Sequence, residues 1–509
     1  MGAVGVILRS IRDASASQSR GSRDGCASPV VRHVRLAKAE QAAGRRSLRI
    51  RPGRRTARKA RARTPIYFGT RADHDTVPLR RFIYTLTMYL LTPAILYRLA
   101  VRGLRYREYF ERWRERFGFS DTKGVRDSIW IHAVSMGEVN AALPLIDGLM
   151  QRYKDAPFVI TTVTPTGSER VRRVYGDRVV NLYLPYDIPA SIRRFLDRIQ
   201  PRIALIMETE IWPNLFLECA ARHIPLIVAN ARLSEKSLRG YGPVRPLAKH
   251  ALASAHFIAA QSVVDATRLA ELGAPPARLG VIGNLKYDMT VPTHLLESAA
   301  AMRERWGARR PVWIAASTHD GEELPVLKAH AEIMRRFPDA LLLLAPRHPE
   351  RFKPVALACR SFGFVTRTRS EDKEAASDTQ CFIVDTLGEL LTFYAGADVA
   401  FVGGSLVPIG GHNVLEPAAL GVPVVVGPYM FNFAEIGASL LDAGAAIQVL
   451  DGDELGGAIT RLFADSRLRI QVGHAAKRAF EREQGSVLRT ISIVEKALDE
   501  NAVGANVSK

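Results

Sequence analysis

The stretch DVAFVGGSLVPIGGHNVLEPAALGVPVVVGP (398–428) decides the fold of this chain. It begins with a short apolar run, 399–402, that is bounded by two glycines and is too short for a helix, so we predict a buried strand. A glycine-punctuated loop, a helix from about Asn413 and a second strand over 422–426 follow. A strand, loop, helix and strand in this order predict a parallel sheet with right-handed crossovers.

The loop of this stretch is suited to an anion. In parallel sheets, ligands bind beyond the carboxyl ends of the strands, where free backbone N–H groups and the helix dipole favour negative charge. Gly410 and Gly411 would let a phosphate approach the backbone, and His412, Asn413 and Glu416 supply side chains over the next turn. An ordinary βα corner accounts for the same residues, because glycines that only make a bend are common.

Length and composition indicate a globular protein of more than one domain. The chain has 509 residues, of which 47% are hydrophobic and 24% are charged, which is enough to bury full cores in two or three domains. The four cysteines are scattered without a CxxC pair. This argues for a reducing compartment and against both a disulfide framework and a structural zinc site.

The net charge of +20 is concentrated in an N-terminal tail. Residues 1–80 contain 19 Lys and Arg against 5 Asp and Glu, a net charge of +14, so the remaining 429 residues carry only +6. We predict that residues 1–78 are a disordered basic tail, because they bury too little apolar surface to offset the entropy of ordering. Such a tail could bind nucleic acid or an anionic membrane surface, could be a transit peptide, or could arise from an upstream choice of start codon.

An apolar segment follows the tail. The run FIYTLTMYLLTPAILYRLAV (82–101) has the roughly 20 residues that just span a bilayer, although Pro93 and Arg98 interrupt it. Its tyrosines suit the membrane interface, and the arginines on both flanks suit anionic lipid. We predict a monotopic anchor or a short single span rather than a buried core helix. An amphipathic basic helix over 106–118 is expected to complete the membrane-binding region, 79–118.

Two series of alternating strands and helices predict two α/β domains, over 119–292 and 311–509, joined by a polar helical link over 293–310. Nine polar clusters come directly after predicted strands, so their side chains should converge where the two sheets face each other. These clusters are SMGE (135–138), TPTGSER (164–170), METEIWPN (207–214), NARLS (230–234), NLKYD (284–288), STHDGEE (317–323), PRHPERF (346–352), DTLGEL (385–390) and GGHNVLEP (410–417).

The residues of these clusters and their order along the chain resemble those of the 3-deoxy-D-manno-octulosonic acid (Kdo) transferases, which are glycosyltransferases of lipopolysaccharide synthesis. The resemblance runs from about Arg80 to the C-terminal helix and leaves out the first 78 or so residues. It implies a GT-B fold, in which two Rossmann-like domains face a central cleft, and an N-terminal anchor that holds the enzyme on the cytoplasmic face of the inner membrane. It also implies inverting transfer of Kdo from CMP-Kdo to the lipid A precursor, lipid IVA, without a bound metal or other cofactor.

The resemblance assigns three catalytic residues. An inverting transfer needs a base beside the acceptor hydroxyl, and Glu138, at a strand-to-helix corner of the membrane-anchored half, matches that base. Glu208 and Lys286 match the two positions that support the transition state. At the second of these, the cation of Lys286 would offset charge on the sugar carboxylate or the phosphate. From the residues alone, Glu138 could equally be a carboxylate stabilised by a helix dipole, Glu208 a salt-bridge partner or cap, and Lys286 a solvated charge.

The resemblance places the CMP-Kdo site in the second half. Its residues are Pro346, Arg347, Leu387, Gly388, Glu389, Asn413, Val414, Leu415 and Glu416. Arg347 is suited to charge-assisted contact with a phosphate, residues 387–389 open a helix whose N–H groups can meet CMP, and Glu416 suits the ribose hydroxyls. The second candidates for this site are Ser317, Thr318, His348 and His412. No ligand spacing among the histidines of these clusters supports a metal site.

Two alternatives are kept beside this prediction. Another GT-B enzyme that uses a UDP-sugar, such as a hexosaminyl transferase or a nucleotide-sugar epimerase, would be stabilised by UDP rather than by CMP. A nucleic-acid-binding protein led by its basic tail would bind DNA or RNA with steep salt dependence, and deletion of residues 1–78 would remove that binding. For the Kdo transferase, no nucleic-acid partner is expected.

Overall fold

The structure, a computed structural model, describes residues 71–105, 110–120, 122, 125–372 and 374–507. The predicted basic tail, 1–78, therefore lies outside the described residues as far as residue 70. Its last part, 71–78, is helical, because the first described helix, α1, spans Arg71–Arg105.

The first lobe is a parallel sheet covered by helices on both faces. Its strands are β1 (Ser128–His132), β2 (Phe158–Thr162), β3 (Val180–Tyr183), β4 (Pro201–Met207), β5 (Leu226–Ala231), β6 (Phe257–Ala260) and β7 (Leu279–Val281), in the order β3-β2-β1-β4-β5-β6-β7. Its helices are α2 (Met136–Arg152), α3 (Pro165–Tyr175), α4 (Pro189–Ile199), α5 (Pro213–Ala221), α6 (Glu235–Gly240), α7 (Arg245–Ser254) and α8 (Val263–Leu272). The central strands β1, β4 and β5 are rich in apolar residues and buried almost throughout, as is typical of a parallel sheet with helices on both faces.

The second lobe repeats this architecture after the linking helix α9 (Thr293–Trp306). Its strands are β8 (Val312–Thr318), β9 (Leu341–Pro346), β10 (Thr366–Thr368), β11 (Cys381–Ile383), β12 (Val399–Val402), β13 (Val424–Val426) and β14 (Ala446–Gln448), in the order β10-β11-β9-β8-β12-β13-β14. Its helices are α10 (Glu323–Arg336), α11 (Phe352–Ser361), α12 (Arg369–Asp372), α13 (Leu390–Gly396), α14 (Leu415–Ala419), α15 (Ala434–Asp442), α16 (Gly452–Ala464) and α17 (Ser466–Arg482). Two parallel seven-stranded sheets confirm the predicted α/β class and its two Rossmann-like GT-B lobes.

Each sheet has one point at which the strand order reverses. In the first sheet this switch point lies between β1 and β4, and in the second it lies between β8 and β12. Loops that leave adjacent strands at a switch point diverge to opposite faces and open a crevice, which is where α/β proteins bind ligands. The clusters SMGE and METEIWPN follow β1 and β4, and STHDGEE and the GGHNVLEP stretch follow β8 and β12. Four of the predicted polar clusters therefore flank the two switch points.

The last helix, α18 (Ser486–Val507), returns to the first lobe. Val487, Ile491, Val494 and Ala497 are buried in one hydrophobic core with α2 and the strands of the first sheet. The boundary drawn from the sequence assigns 311–509 to the second domain, but the end of that range packs against the first sheet. The chain thus crosses between the lobes twice, after residue 288 and again before α18.

The carboxylate of Asp288 joins these two crossings. It accepts hydrogen bonds from the backbone N–H groups of Gly485 and, at 2.6 Å, of Val487. We expect Asp288→Ala to lower the free energy of unfolding by about 1–3 kcal/mol, because two backbone donors lose a charged acceptor, and to speed amide exchange in α18. Hydrogen exchange measures the second effect, and Asp499→Ala, on the exposed side of the same helix, is the control. Parental exchange in α18 of Asp288→Ala would contradict this role.

Helix α1 is bound to the first lobe along one face. Tyr84 Oη donates a hydrogen bond of 2.9 Å to the fully buried carboxylate of Asp187, and Arg81 pairs with Glu218 at 3.0 Å. Much of the apolar surface of the described residues of α1 is exposed. Its exposed large apolar side chains are Leu79, Phe82, Ile83, Leu86, Tyr89, Leu90, Leu96, Tyr97, Val101 and Leu104. Within the described ranges, Pro78–Leu104 is the one helix long and apolar enough to cross a membrane.

The basic segment predicted as an amphipathic helix, 106–118, has a different structure in its described part. Residues 106–109 lie outside the described residues, and Trp113–Phe117 form a 3₁₀ turn after Arg112, which has a left-handed φ of 56°. Arg112 Nη1 donates to Ser168 Oγ at 3.1 Å, and Arg116 Nη2 donates to a backbone carbonyl of the first lobe at 2.9 Å. Because these arginines bind the lobe itself, they do not line the exposed face of a continued helix.

Candidate active site

Glu138 lies in the first turn of α2, at the switch point of the first sheet. Ser135, in an extended conformation, is the N-cap residue that turns the chain from β1 into the helix. Glu138 Oε2 accepts a hydrogen bond of 2.8 Å from the backbone N–H of Val134. This bond and the helix dipole stabilise the charged carboxylate and fix its direction beside the loop.

Three carboxylates meet at this switch point. Glu208 follows β4 with a left-handed φ of 56°, a conformation that is strained for a residue with a side chain. Glu210, only 6% exposed, comes two residues later. Burial and the charges of Glu208 and Glu210 raise the pKa of Glu138 to about 8, and burial also raises the pKa of Glu210. A carboxylate with a pKa near the working pH accepts a proton well, so this cluster is suited to general-base chemistry.

Sequence reasoning missed Glu210, although its signal is present as a second acid in METEIWPN. We expect Glu210→Gln to move the ascending limb of the pH–rate profile to lower pH by up to about one unit, because loss of the nearby negative charge lowers the pKa of Glu138. The measurement is kcat between pH 5.5 and 9.5, with Glu169→Gln, exposed on α3, as the control. If the limb stays in place, Glu210 does not influence the pKa of Glu138.

Lys286 faces the second lobe across a narrow cleft. Its backbone N–H donates to Asn284 Oδ1 at 3.0 Å, and its Nζ lies 5.4 Å from the ring centroid of Phe433, a cation–π contact between the lobes. The residues that line the pocket at this point are Arg232, Gln261, Asn284, Lys286, Asn432, Phe433, Ala434, Glu435 and Ile436. The cleft predicted between the lobes is therefore present here, with Lys286 in its wall.

Arg347 follows β9, which neighbours β8 beside the switch point of the second sheet. Pro346 ends β9, and the backbone N–H of Arg347 donates to Thr318 O, at the end of β8, at 2.9 Å. The predicted candidates Ser317 and Thr318 are thus next to it, and Ser317 has a left-handed φ of 57°. The arrangement puts a guanidinium group beside the loops that follow β8 and β12.

The predicted group 387–389 lies immediately before α13 rather than in its first turn. Leu387 is 62% exposed, and Gly388 has a φ of 93°, which favours glycine. Arg369 donates to Glu389 Oε1 at 2.7 Å and lowers the pKa of Glu389. Because the Glu389 side chain is engaged with Arg369, a nucleotide would meet this group through its backbone.

The run 413–416 contributes polar side chains only at its two ends. Val414 and Leu415 are buried in the core, so only their backbone atoms can reach a ligand. Asn413 Nδ2 donates to Glu416 Oε1 at 3.0 Å, and burial raises the pKa of Glu416. Helix α14 begins at Leu415, two residues later than predicted. Asn413 Oδ1 accepts the Leu415 N–H at 3.1 Å, so Asn413 forms a side-chain turn that leads into the helix.

A buried glutamate that sequence reasoning missed ties the two switch-point loops together. Glu322 is fully buried, and its carboxylate accepts the backbone N–H groups of His319 at 2.9 Å, Gly404 at 2.7 Å, Ser405 at 3.0 Å and Leu406 at 2.9 Å. One side chain thus satisfies four backbone donors from the loops after β8 and β12.

Three histidines converge beside Arg347. His319 Nε2 and His412 Nε2 lie 2.7 Å apart, and the ring centroid of His348 is 5.2 Å from that of His319. Two nitrogen ligands of one tetrahedral zinc would lie about 3.3 Å apart, so the spacing of His319 and His412 is that of an N–H···N hydrogen bond. Within the part of the chain that the structure describes, no group of three or more His, Cys, Asp or Glu residues could hold a metal ion.

Comparison with known proteins identifies the family. Residues 111–289 match the family model described as 3-deoxy-D-manno-octulosonic-acid transferase (kdotransferase). Over 424 residues the chain is 39% identical to the 3-deoxy-D-manno-octulosonic acid transferase of Haemophilus influenzae, an alignment that covers 83% of this chain and 99% of that protein. The chain belongs to the Kdo transferase family.

Two further matches concern the same family. A Kdo transferase from Bordetella pertussis is 35% identical over 428 residues, which cover 82% of this chain and 99% of that protein. A crystal structure of the C-terminal CMP-Kdo binding domain of WaaA from Acinetobacter baumannii is 35% identical and covers 37% of this chain and 98% of that domain, with a TM-score of 0.36. Membership of the Kdo transferase family confirms the resemblance drawn from the sequence and makes the chain a glycosyltransferase.

Proposed function

We propose that this member of the Kdo transferase family transfers Kdo from CMP-Kdo to a hydroxyl group of lipid IVA, with inversion at the anomeric carbon. The observation that carries the proposal is the placement of Glu138 at the β1/β4 switch point, among carboxylates that raise its pKa. The first lobe also bears the apolar helix α1, so a lipid acceptor would reach this carboxylate from the membrane side.

Each step of the transfer has a residue to support it. Glu138 takes the proton of the acceptor hydroxyl while the acceptor oxygen attacks the anomeric carbon of Kdo. The bond from that carbon to the phosphate breaks, and its electron pair leaves with CMP. Arg347 holds the phosphate, and Lys286 offsets charge on the sugar carboxylate or the phosphate. Because these side chains supply the positive charge, the reaction is proposed to need no bound metal, and EDTA should leave the rate unchanged.

The test is an assay of the purified chain with CMP-Kdo and lipid IVA, read by the mass of the lipid product. We expect the product mass to increase by that of one or more Kdo units, with release of CMP. A UDP-sugar and the same acceptor form the second arm of the assay. If product forms only with the UDP-sugar, the donor is a UDP-sugar rather than CMP-Kdo. If CMP-Kdo leaves lipid IVA unchanged, the proposed function is wrong.

Helix α1 is proposed to hold the enzyme on the cytoplasmic face of the inner membrane. Leu90 and Tyr97 are 72% and 73% exposed on the helix, and burial of such side chains in the interface favours membrane binding by about 25 cal/mol per Å² of apolar area. We expect Leu90→Glu/Tyr97→Glu to reduce co-flotation with anionic phospholipid vesicles at least about tenfold. Val263→Glu/Leu488→Glu, which replaces two apolar side chains exposed elsewhere, is the control. Equal flotation of the two double variants would rule out this surface as the anchor.

A further inference from the structure

Two imidazoles in the second lobe share a hydrogen bond that the proposed mechanism does not use. His319 belongs to the loop after β8, and His412 belongs to the loop after β12. Their Nε2 atoms lie 2.7 Å apart, and their rings are parallel within 2°. In this geometry one Nε2 carries a hydrogen and donates it, and the other accepts it. The two side chains therefore form a single unit, the His319–His412 pair.

The surrounding loops hold this pair in place from both sides of the switch point. Glu322 accepts the backbone N–H groups of His319 and Gly404. It therefore ties the loop after β8, which carries His319, to the loop after β12, which carries His412. Gly404 has a φ of 68°, and a Cβ atom at this position would lie 2.9 Å from His412 Cδ2. Any larger residue at position 404 would clash with the imidazole of His412 where it now lies. The surrounding backbone therefore fixes the position of the pair.

The charged or titratable groups that act on the pair are Glu322, Arg347 and His348. Arg347 and His348 follow β9. Burial and then the charges of His319, Arg347 and His348 lower the pKa of His412 to about 4, and burial lowers the pKa of His319 in spite of Glu322. The charge of Glu322 is already shared among four backbone N–H groups. The site thus holds two imidazoles that are neutral near pH 7 beside the guanidinium group of Arg347.

We propose that the His319–His412 pair binds the phosphate of the donor together with Arg347 and delivers a proton to it as it departs. This inference rests on the proposed function and adds a proton donor for the leaving group. When the donor phosphate binds, its negative charge favours uptake of one proton by the pair, and the resulting imidazolium donates a hydrogen bond to the phosphate oxygen that is bonded to the sugar.

The chemical step balances with this proton. The acceptor hydroxyl proton goes to Glu138, the acceptor oxygen forms a bond to the anomeric carbon, and the electron pair of the broken carbon–oxygen bond stays on the phosphate. The imidazolium proton passes to that phosphate oxygen, so CMP leaves as a monoanion and the pair returns to its neutral form. The negative charge of the bound phosphate offsets the lowering and moves the pKa of the pair back toward the ordinary value of imidazole, about 6.5. This value is close to the second pKa of a phosphate monoester, about 6, so the proton then moves between groups of similar basicity.

Calorimetric titration with CMP tests the proposal without the transfer reaction. Titrations at pH 7.5 in two buffers that differ in ionisation enthalpy give the number of protons taken up on binding. We expect the full chain to take up a fraction of a proton, and His412→Gln to lose this uptake and to bind CMP about tenfold more weakly, which corresponds to one charge-assisted hydrogen bond. His319→Gln should behave in the same way, and His474→Gln, exposed on α17, should behave like the parent.

The outcomes separate this proposal from the proposed function. If CMP binds but neither the affinity nor the proton uptake changes in His412→Gln and His319→Gln, the pair does not serve the phosphate, while the proposed donor stands. If UMP binds in place of CMP and its proton uptake disappears in the same variants, the pair is supported and the CMP donor is wrong. Binding of neither nucleotide to the parent overturns both. Should one variant fail to fold by circular dichroism, the other decides.

Discussion

Glu138→Gln is expected to reduce kcat for Kdo transfer by about 10²–10⁴-fold, the contribution of a positioned general base. In the parent, the Val134 N–H donates a hydrogen bond of 2.8 Å to Glu138. Glutamine has the same size and keeps an oxygen that can accept this hydrogen bond. The loss should therefore reflect the missing base rather than a collapsed loop. The measurement is the initial rate with CMP-Kdo and lipid IVA at saturating concentrations.

Two comparisons make the Glu138 result specific. CMP affinity should stay within about twofold of the parental value, because Glu138 belongs to the first lobe and the proposed nucleotide site to the second. Glu169→Gln, an exposed carboxylate on α3, should keep the parental rate. A purified Glu138→Gln variant that transfers Kdo as fast as the parent would mean that another group takes the acceptor proton.

Glu322→Ala is expected to have the largest effect on stability, a loss of about 3–5 kcal/mol in the free energy of unfolding. Removal of this fully buried carboxylate leaves four backbone N–H groups from two loops without their acceptor, and each unsatisfied buried donor costs about 1–3 kcal/mol before the loops relax. Denaturant unfolding of the parent and the variant gives the difference directly. The midpoint of thermal unfolding should fall as well.

Two matched changes show whether the hydrogen bonds of Glu322 are responsible. Glu322→Gln keeps one good acceptor oxygen and should lose less stability than Glu322→Ala. Glu350→Ala removes an exposed carboxylate close by in the same lobe and should change the unfolding free energy by less than about 0.5 kcal/mol. If Glu322→Ala is as stable as Glu350→Ala, the two loops hold their conformation without this side chain.

Strands with strong apolar runs could be predicted from the sequence, but one short strand at the edge of the second sheet could not. The run 399–402 is a strand with the predicted bounds, and VWIAAST over 312–318 is another. The edge strand β14, Ala446–Gln448, was missed because it has three residues, two of them partly buried and one exposed, so it lacks the continuous apolar pattern of a central strand. The helix α18 was expected from its pattern, but a pattern does not tell which sheet a helix packs against.

Single residues of the candidate site could be named from the motif in which each stands. Contacts between residues that are far apart in the sequence could not. Glu138 and Arg347 each follow a strong strand, so position made their clusters candidates, and the resemblance to the family then assigned the two residues their roles. His319 and His412 are 93 residues apart, and their contact depends on the neighbouring positions of β8 and β12 in the sheet. Glu322 was missed for the same reason, because its partners lie on a loop more than 80 residues later. Sheet order, which the sequence does not state, brings these groups together.

The return of α18 to the first sheet determines where the protein can be divided for study. A fragment that ends at residue 292 would expose the apolar surface that Ile491 and Val494 cover in the intact chain, and exposed surface of this kind favours aggregation. The complementary fragment, 311–509, would carry α18 without the surface of the first lobe that this helix covers. A recombinant first lobe should therefore be expressed with residues 486–507 fused back through a flexible linker, and a recombinant second lobe should stop near Arg482.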